Sequence, residues 1–268
     1  MSLAPSAGRP SGPAWAETLH AEWTKLRTLA STWWLLLGAV ALTVAVSAAT
    51  VAAAAAAPGL DPAKLSLIGV QAGQAVVAIL AVLAISNEYS TGMIRVTLTA
   101  MPRRHTVLAA KAALVGGLVL AAGAVAVLAS VLAGRLILPG RGFTPANGYQ
   151  LLSLGDGPVL RAACGSVLYL ALTALLALGI ATAVRDSAVA IGVVLAVLYL
   201  FPIIAQVLGP RWQHAVMQIG PMTAGLSIQA TVGVHALPLT PWQGLGVLAL
   251  WAAGALILGG LVLRFRDA

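Results

Sequence analysis

Six long apolar stretches, each almost free of charge, dictate what this chain can become. They cover about residues 33–57, 65–86, 106–138, 158–184, 187–208 and 242–263. A helix rises 1.5 Å per residue, so crossing a hydrocarbon core of about 30 Å takes about 20 apolar residues. Every stretch is long enough. In hydrocarbon each backbone N–H and C=O must find its partner within the chain, and a helix provides this locally. The expected fold is therefore all-α, a polytopic membrane protein with six transmembrane helices. Composition bears on the alternative: 8% of residues are charged, against about 25% in soluble domains. Too few polar side chains exist to clothe a water-facing surface. Pro58-Gly59 closes the first stretch, and Pro202 in the fifth predicts a kink.

The basic residues give the orientation. With the N-terminus in the cytoplasm, the inner segments hold Arg9, Lys25, Arg27, Arg95, Arg103, Arg104, Lys111, Arg185, Arg264 and Arg266. The outer segments hold Lys64, Arg135, Arg141, Arg161 and Arg211. Ten against five favours both termini inside by the positive-inside rule. The net charge of +8 is spread between apolar runs without a dense cluster, which argues against a nucleic-acid surface. Residues 1–13, rich in Pro, Gly and Ser, are expected to be disordered. The first apolar run is too long for the core of a removable signal peptide, so residues 14–268 are expected to form one membrane domain.

Catalytic and metal chemistry find little footing. His20, His105, His214 and His235 are scattered, and the lone Cys164 lies within an apolar run, so no metal site is expected. Ser130, Ser166 and Cys164 have no His or Asp at a suggestive spacing, so no enzymatic activity is expected. Lys111, Arg135 and Arg161 lie towards span ends, where they can snorkel to water. No carboxylate falls deep within a span, which disfavours ion-coupled transport.

Two segments outside the spans carry more. In residues 14–32, Trp15, Leu19, Trp23, Leu26 and Ala30 recur at helical spacing, with Glu17, Glu22, Lys25 and Arg27 mostly elsewhere. That pattern predicts a helix lying in the membrane interface, either a simple flank of the first span or an elbow beside a partner. Residues 87–105 read NEYSTGMIRVTLTAMPRRH. Gly92 is a break, and residues 94–101 predict two helical turns stopped at Pro102. Met93, Ile94, Val96, Leu98 and Met101 are apolar yet outside any span, so either the chain's own helix ends or another protein must cover them. Glu88 and Arg95 stand seven apart, placed to pair with each other or with a docking partner.

The Glu88, Tyr89, Gly92, Arg95 pattern after the second span resembles the first coupling-helix region of ABC-2-type permeases. Glu22, Trp23, Lys25, Leu26, Arg27, Ser31, Thr32 and Trp33 resemble the opening of actinobacterial members. The six-span plan extends the resemblance over nearly the whole chain. It implies the membrane-spanning permease subunit of an ATP-binding-cassette exporter, paired with a second permease copy and two copies of a separate ATPase subunit. The sequence has no G-x-x-x-x-G-K-[ST] phosphate loop, so ATP and Mg are expected on that partner. Coupling would fall to a cytoplasmic coupling helix and to Glu88, Tyr89, Gly92, Arg95, Arg103 and Arg104, beside an interfacial helix carrying Trp15, Trp23, Lys25 and Arg27. Export across the cell membrane is implied, of a hydrophobic or amphiphilic cargo such as an antibiotic, a peptide or a lipid. The alternative is a membrane scaffold that binds the partner and moves nothing. Residues 209–241, with Pro210, Pro221 and Pro238, match an outer segment that dips inward as short helices. Gln71, Gln74 and Gln206 either bond neighbouring helices or line a substrate path. The small residues Gly116, Gly117, Ala121 and Gly123, and Gly254, Ala255 and Gly259, are expected to allow close helix packing.

Overall fold

The structure is a computed structural model that describes residues 14–90, 104–207 and 210–265. The expected disordered tail lies outside them, as do Gly92, Arg95, Arg103 and the expected coupling helix at 94–101. The regular structure of the described residues is all helical, with no strand among them. The order is α1 (Ala14–Thr28), α2 (Ala30–Ala53), α3 (Pro62–Ser66), α4 (Val70–Ser90), α5 (Arg104–Ile137), α6 (Gly157–Val184), α7 (Ser187–Val207), α8 (Pro210–Ile219), α9 (Pro221–Gly225) and α10 (Pro241–Phe265). Six of them, α2, α4, α5, α6, α7 and α10, are long and apolar enough to cross a membrane. The all-α, six-span expectation therefore holds.

Two boundaries moved, each for a local reason. The first span ends at Ala53 rather than near residue 57 because Ala54 turns extended. The chain after it is claimed by the loop following α5: Ala56 N–H donates to Arg141 O, and the Tyr149 hydroxyl donates to Ala57 O. The second apolar run splits in two. Asp61 caps α3 by accepting from the N–H groups of Ala63 and Lys64, each at 3.1 Å, and α4 starts afresh at Val70.

The α6 helix is the hub. It packs on α4, α5, α7 and α10, and Ala174, Leu176, Ala177 and Leu178 along it are fully buried. Its approach to α10 is close because Gly179 has no side chain: a Cβ there would stand 2.4 Å from the backbone carbon of Ala255. Ala255 and Gly259 thus serve the packing expected of them, whereas Gly117 and Gly254 face open space.

At the end of the bundle opposite α1, the segment between α7 and α10 folds inward. Pro221, Met222, Ala224 and Gly225 of α9 are buried against the spans. Asp61 fastens this segment by accepting from Thr231 N–H (2.5 Å), Thr231 Oγ1 (2.7 Å) and Val232 N–H (3.0 Å).

Candidate functional site: a buried charge cluster under the interfacial helix

Three helices meet where α1 crosses the bundle. Glu22 and Lys25 come from α1, Glu88 from the last turn of α4, and Lys111 from the second turn of α5. The Lys111 ammonium donates to Glu22 Oε2 at 2.5 Å, Glu88 Oε1 at 2.9 Å and the Ala84 carbonyl at 3.1 Å. Lys25 donates to Glu22 Oε1 at 2.8 Å and Glu88 Oε1 at 3.1 Å. Among the described residues, two carboxylates face two ammonium groups, and their charges balance. Lys111 is 2% exposed and Glu22 1%. A lone charge so deeply buried would cost several kcal/mol; here each one has its counter-charge and directed hydrogen bonds. Glu88 Oε2 is buried with no hydrogen-bond partner among the described residues.

This arrangement corrects one reading of the sequence: Lys111 does not snorkel, because α1 lies over it and supplies a carboxylate. The periodicity of α1 left open which face turns inward. Thr18, Glu22 and Leu26 are buried, while Trp15 is exposed and Trp23 only half-buried. Lys111 draws Glu22 inward beside Leu26, and Trp15 is left on the rim.

Electrostatics on α1 follow from the same contacts. Burial alone would push the Glu22 carboxyl up, but the Lys111 and Lys25 ammonium groups outweigh it and hold it below its ordinary range. Burial alone would push Lys25 down, but Glu22 and then Glu88 outweigh it and hold it above its usual value.

The remaining candidates are dispersed. Tyr89 lies against the end of α6, its hydroxyl donating to Thr182 O at 3.4 Å and its ring 5.6 Å from the Arg185 guanidinium carbon. Arg104 begins α5. Arg27 is exposed, and its carbonyl accepts from Trp33 Nε1. The three glutamines do not converge. Gln74 is wholly buried, accepting from the Tyr169 hydroxyl and donating to Met222 Sδ at 3.2 Å, so it ties α4 to α6 and α9 and faces no open channel in this conformation. Gln71 lends its carbonyl to Tyr199 at 2.8 Å, and Gln206 is exposed on α7.

Sequence reasoning had Glu22 in a motif but not among the site residues, and it missed Tyr169 and Gln229. Gln229 donates to Ser166 Oγ at 3.1 Å and to Leu67 O at 3.3 Å. One signal was available. A single ammonium within an otherwise apolar run needs a buried counter-charge, and the acidic residues of segments 14–32 and 87–105 are Glu17, Glu22 and Glu88. A cleft of about 1020 Å³ at the opposite end, lined by residues 56–60, 62–63, 147–152, 155–159 and 231–232, carries no comparable charge pattern; Asp156 is the carboxylate on its lining.

The family model for ABC-2 family transporter proteins matches residues 18–203. No curated protein matches the chain. The matched region holds all four members of the charge cluster and five of the six apolar helices in whole or in large part. The chain belongs to the ABC-2 transporter family: it is a multi-pass membrane protein and the permease component of an ABC transporter, which works with an ATPase subunit.

Proposed function

We propose that this permease exports a hydrophobic or amphiphilic molecule across the cell membrane, with both termini cytoplasmic. It would pair with a second permease copy above two ATPase subunits. ATP and Mg would bind on those subunits, and this chain would carry out no chemistry of its own. The observation that carries the coupling role is the charge cluster. It joins the interfacial helix to the ends of α4 and α5, the two helices that flank residues 91–103. A push on that segment or on α1 would then reach two spans together. The Glu88, Tyr89, Gly92, Arg95 pattern and the pair Arg103 and Arg104 would meet the ATPase or orient the segment that does. The largely apolar outer surface suits a cargo taken from or through lipid.

The test is reconstitution with the partner ATPase in proteoliposomes. Glu88→Ala and Arg95→Ala are expected to lower transport-linked ATP turnover while the complex still assembles. Unchanged turnover in both would end the coupling assignment. A reporter fused after Ala268 is expected to read cytoplasmic, and an external signal would overturn the orientation.

A further inference from the structure

The α7 and α10 helices both pack on α6 but diverge from each other, leaving a slot of about 520 Å³ between them. Its walls are apolar, with Ile180 and Val184 from α6, Val193 and Val197 from α7, and Leu258 from α10. The slot exists partly because Gly254 carries no side chain: nothing lies within 4 Å of where its Cβ would stand. Its deep end is marked by Trp251, whose ring meets Phe201 of α7 edge-on with centroids 5.9 Å apart. The Trp251 indole is anchored there by donating to Ile219 O at 2.9 Å. From Trp251 to Leu258 the wall is about 10 Å long at 1.5 Å per residue. That is less than one leaflet of a hydrocarbon core of about 30 Å.

The other end opens where α6 stops, at Arg185. Arg185 is the one non-glycine residue with positive φ (66°) among the described residues. Its backbone N–H closes α6 on Ala181 O, and its Nη2 donates to Val262 O of α10 at 3.3 Å. With the Tyr89 ring beneath it, the guanidinium is pinned beside the mouth of the slot. Arg264 is exposed at the same end. Among the described residues, exposed Asp186 carries the opposing charge at this rim, and its Oδ1 accepts from the Val189 N–H at 2.8 Å.

A slot that opens between two spans on the outside of the bundle, is apolar along its depth, ends at Trp251 midway along α10 and has a fixed cation where α6 stops matches one kind of molecule. We propose that it holds one acyl chain of an anionic phospholipid, with the phosphate beside Arg185. Attraction of an anionic lipid to one such cation is worth roughly fivefold in occupancy over a zwitterionic lipid.

The test uses the full chain in vesicles that contain brominated phosphatidylglycerol or brominated phosphatidylcholine at equal mole fraction. The fluorescence difference between wild type and Trp251→Phe isolates the Trp251 signal. That signal is expected to be quenched about fivefold more effectively by the anionic lipid. Arg185→Gln should level the two lipids. Gly254→Leu, whose side chain enters empty space, should remove the quenching in both. Equal quenching of the wild type by both lipids overturns the headgroup assignment. Absence of quenching means that protein, such as a second copy, covers the slot, and overturns the proposal entirely. If Arg185→Gln fails to fold, the wild-type lipid preference together with Gly254→Leu still decides. No ATPase is present in the measurement, so its outcome is independent of the transport assignment.

Discussion

Replacing Lys111 by Met keeps the length and apolar stem of the side chain but deletes one of two ammonium groups that hold Glu22 and Glu88 together. Three hydrogen bonds vanish, those to Glu22 Oε2, Glu88 Oε1 and the Ala84 carbonyl. Two carboxylates would then share Lys25, and the described members of the cluster would carry a net charge of −1 while the carboxylates remain buried. Removing one partner of a buried ion pair costs about 3–5 kcal/mol, mostly because the stranded charge cannot be rehydrated. The Glu22 side chain is 2% exposed, so solvent screening relieves little of this. Thermal unfolding in detergent, followed by tryptophan fluorescence, should show a loss of that size. The triple variant Glu22→Met, Glu88→Met and Lys111→Met should recover most of it, since it removes the three buried charges together and leaves Lys25, whose side chain is 27% exposed, within reach of water; apolar replacement of buried ion partners is often close to neutral. A single variant that loses less than about 1 kcal/mol, or a triple variant no better than the single, would refute the idea that α1 is held by charge rather than by packing.

Three further outcomes follow from other contacts. Attachment of α1 should depend on pH at both extremes. Glu22, with its folded pKa below the ordinary 4.5, contributes stability that is present above that value and lost as pH falls through the lower folded one. Lys25, raised above 10.5, contributes stability that is full below that value and lost as pH rises through the higher folded one. Trp23 emission against pH should therefore be flat between about pH 5 and 10 and change outside that window. Tyr169→Phe leaves the buried Gln74 carbonyl oxygen without its donor and should cost about 1–3 kcal/mol, with a smaller penalty when Gln74→Leu is added, read by the same unfolding assay. Asp61→Ala removes both the cap of α3 and the three bonds to Thr231 and Val232, so limited proteolysis near residues 230–240 should accelerate while the spans remain protected.

How much of the site was legible depended on the range of the interaction. Glu22 and Lys25 are three apart on one helix, and their pairing is visible in the sequence. Lys111 lies 89 residues from Glu22 and 23 from Glu88, and nothing in the local pattern says which carboxylate it will meet. The tryptophan periodicity of α1 was real, but periodicity identifies two faces without saying which one turns inward. The charge in α5 made that choice.

The apolar run lengths alone determined six spans and an all-helical chain, because in lipid a backbone must satisfy its own hydrogen bonds within each span and a helix does this with its neighbours in sequence. Only the tertiary structure decided that α6 is the hub, that Gly179 rather than Gly254 lets α6 and α10 approach, and that a buried charge cluster holds the interfacial helix. Those outcomes depend on which faces meet across tens of residues, and a bilayer, being equally apolar on every side, gives the sequence no signal of that choice.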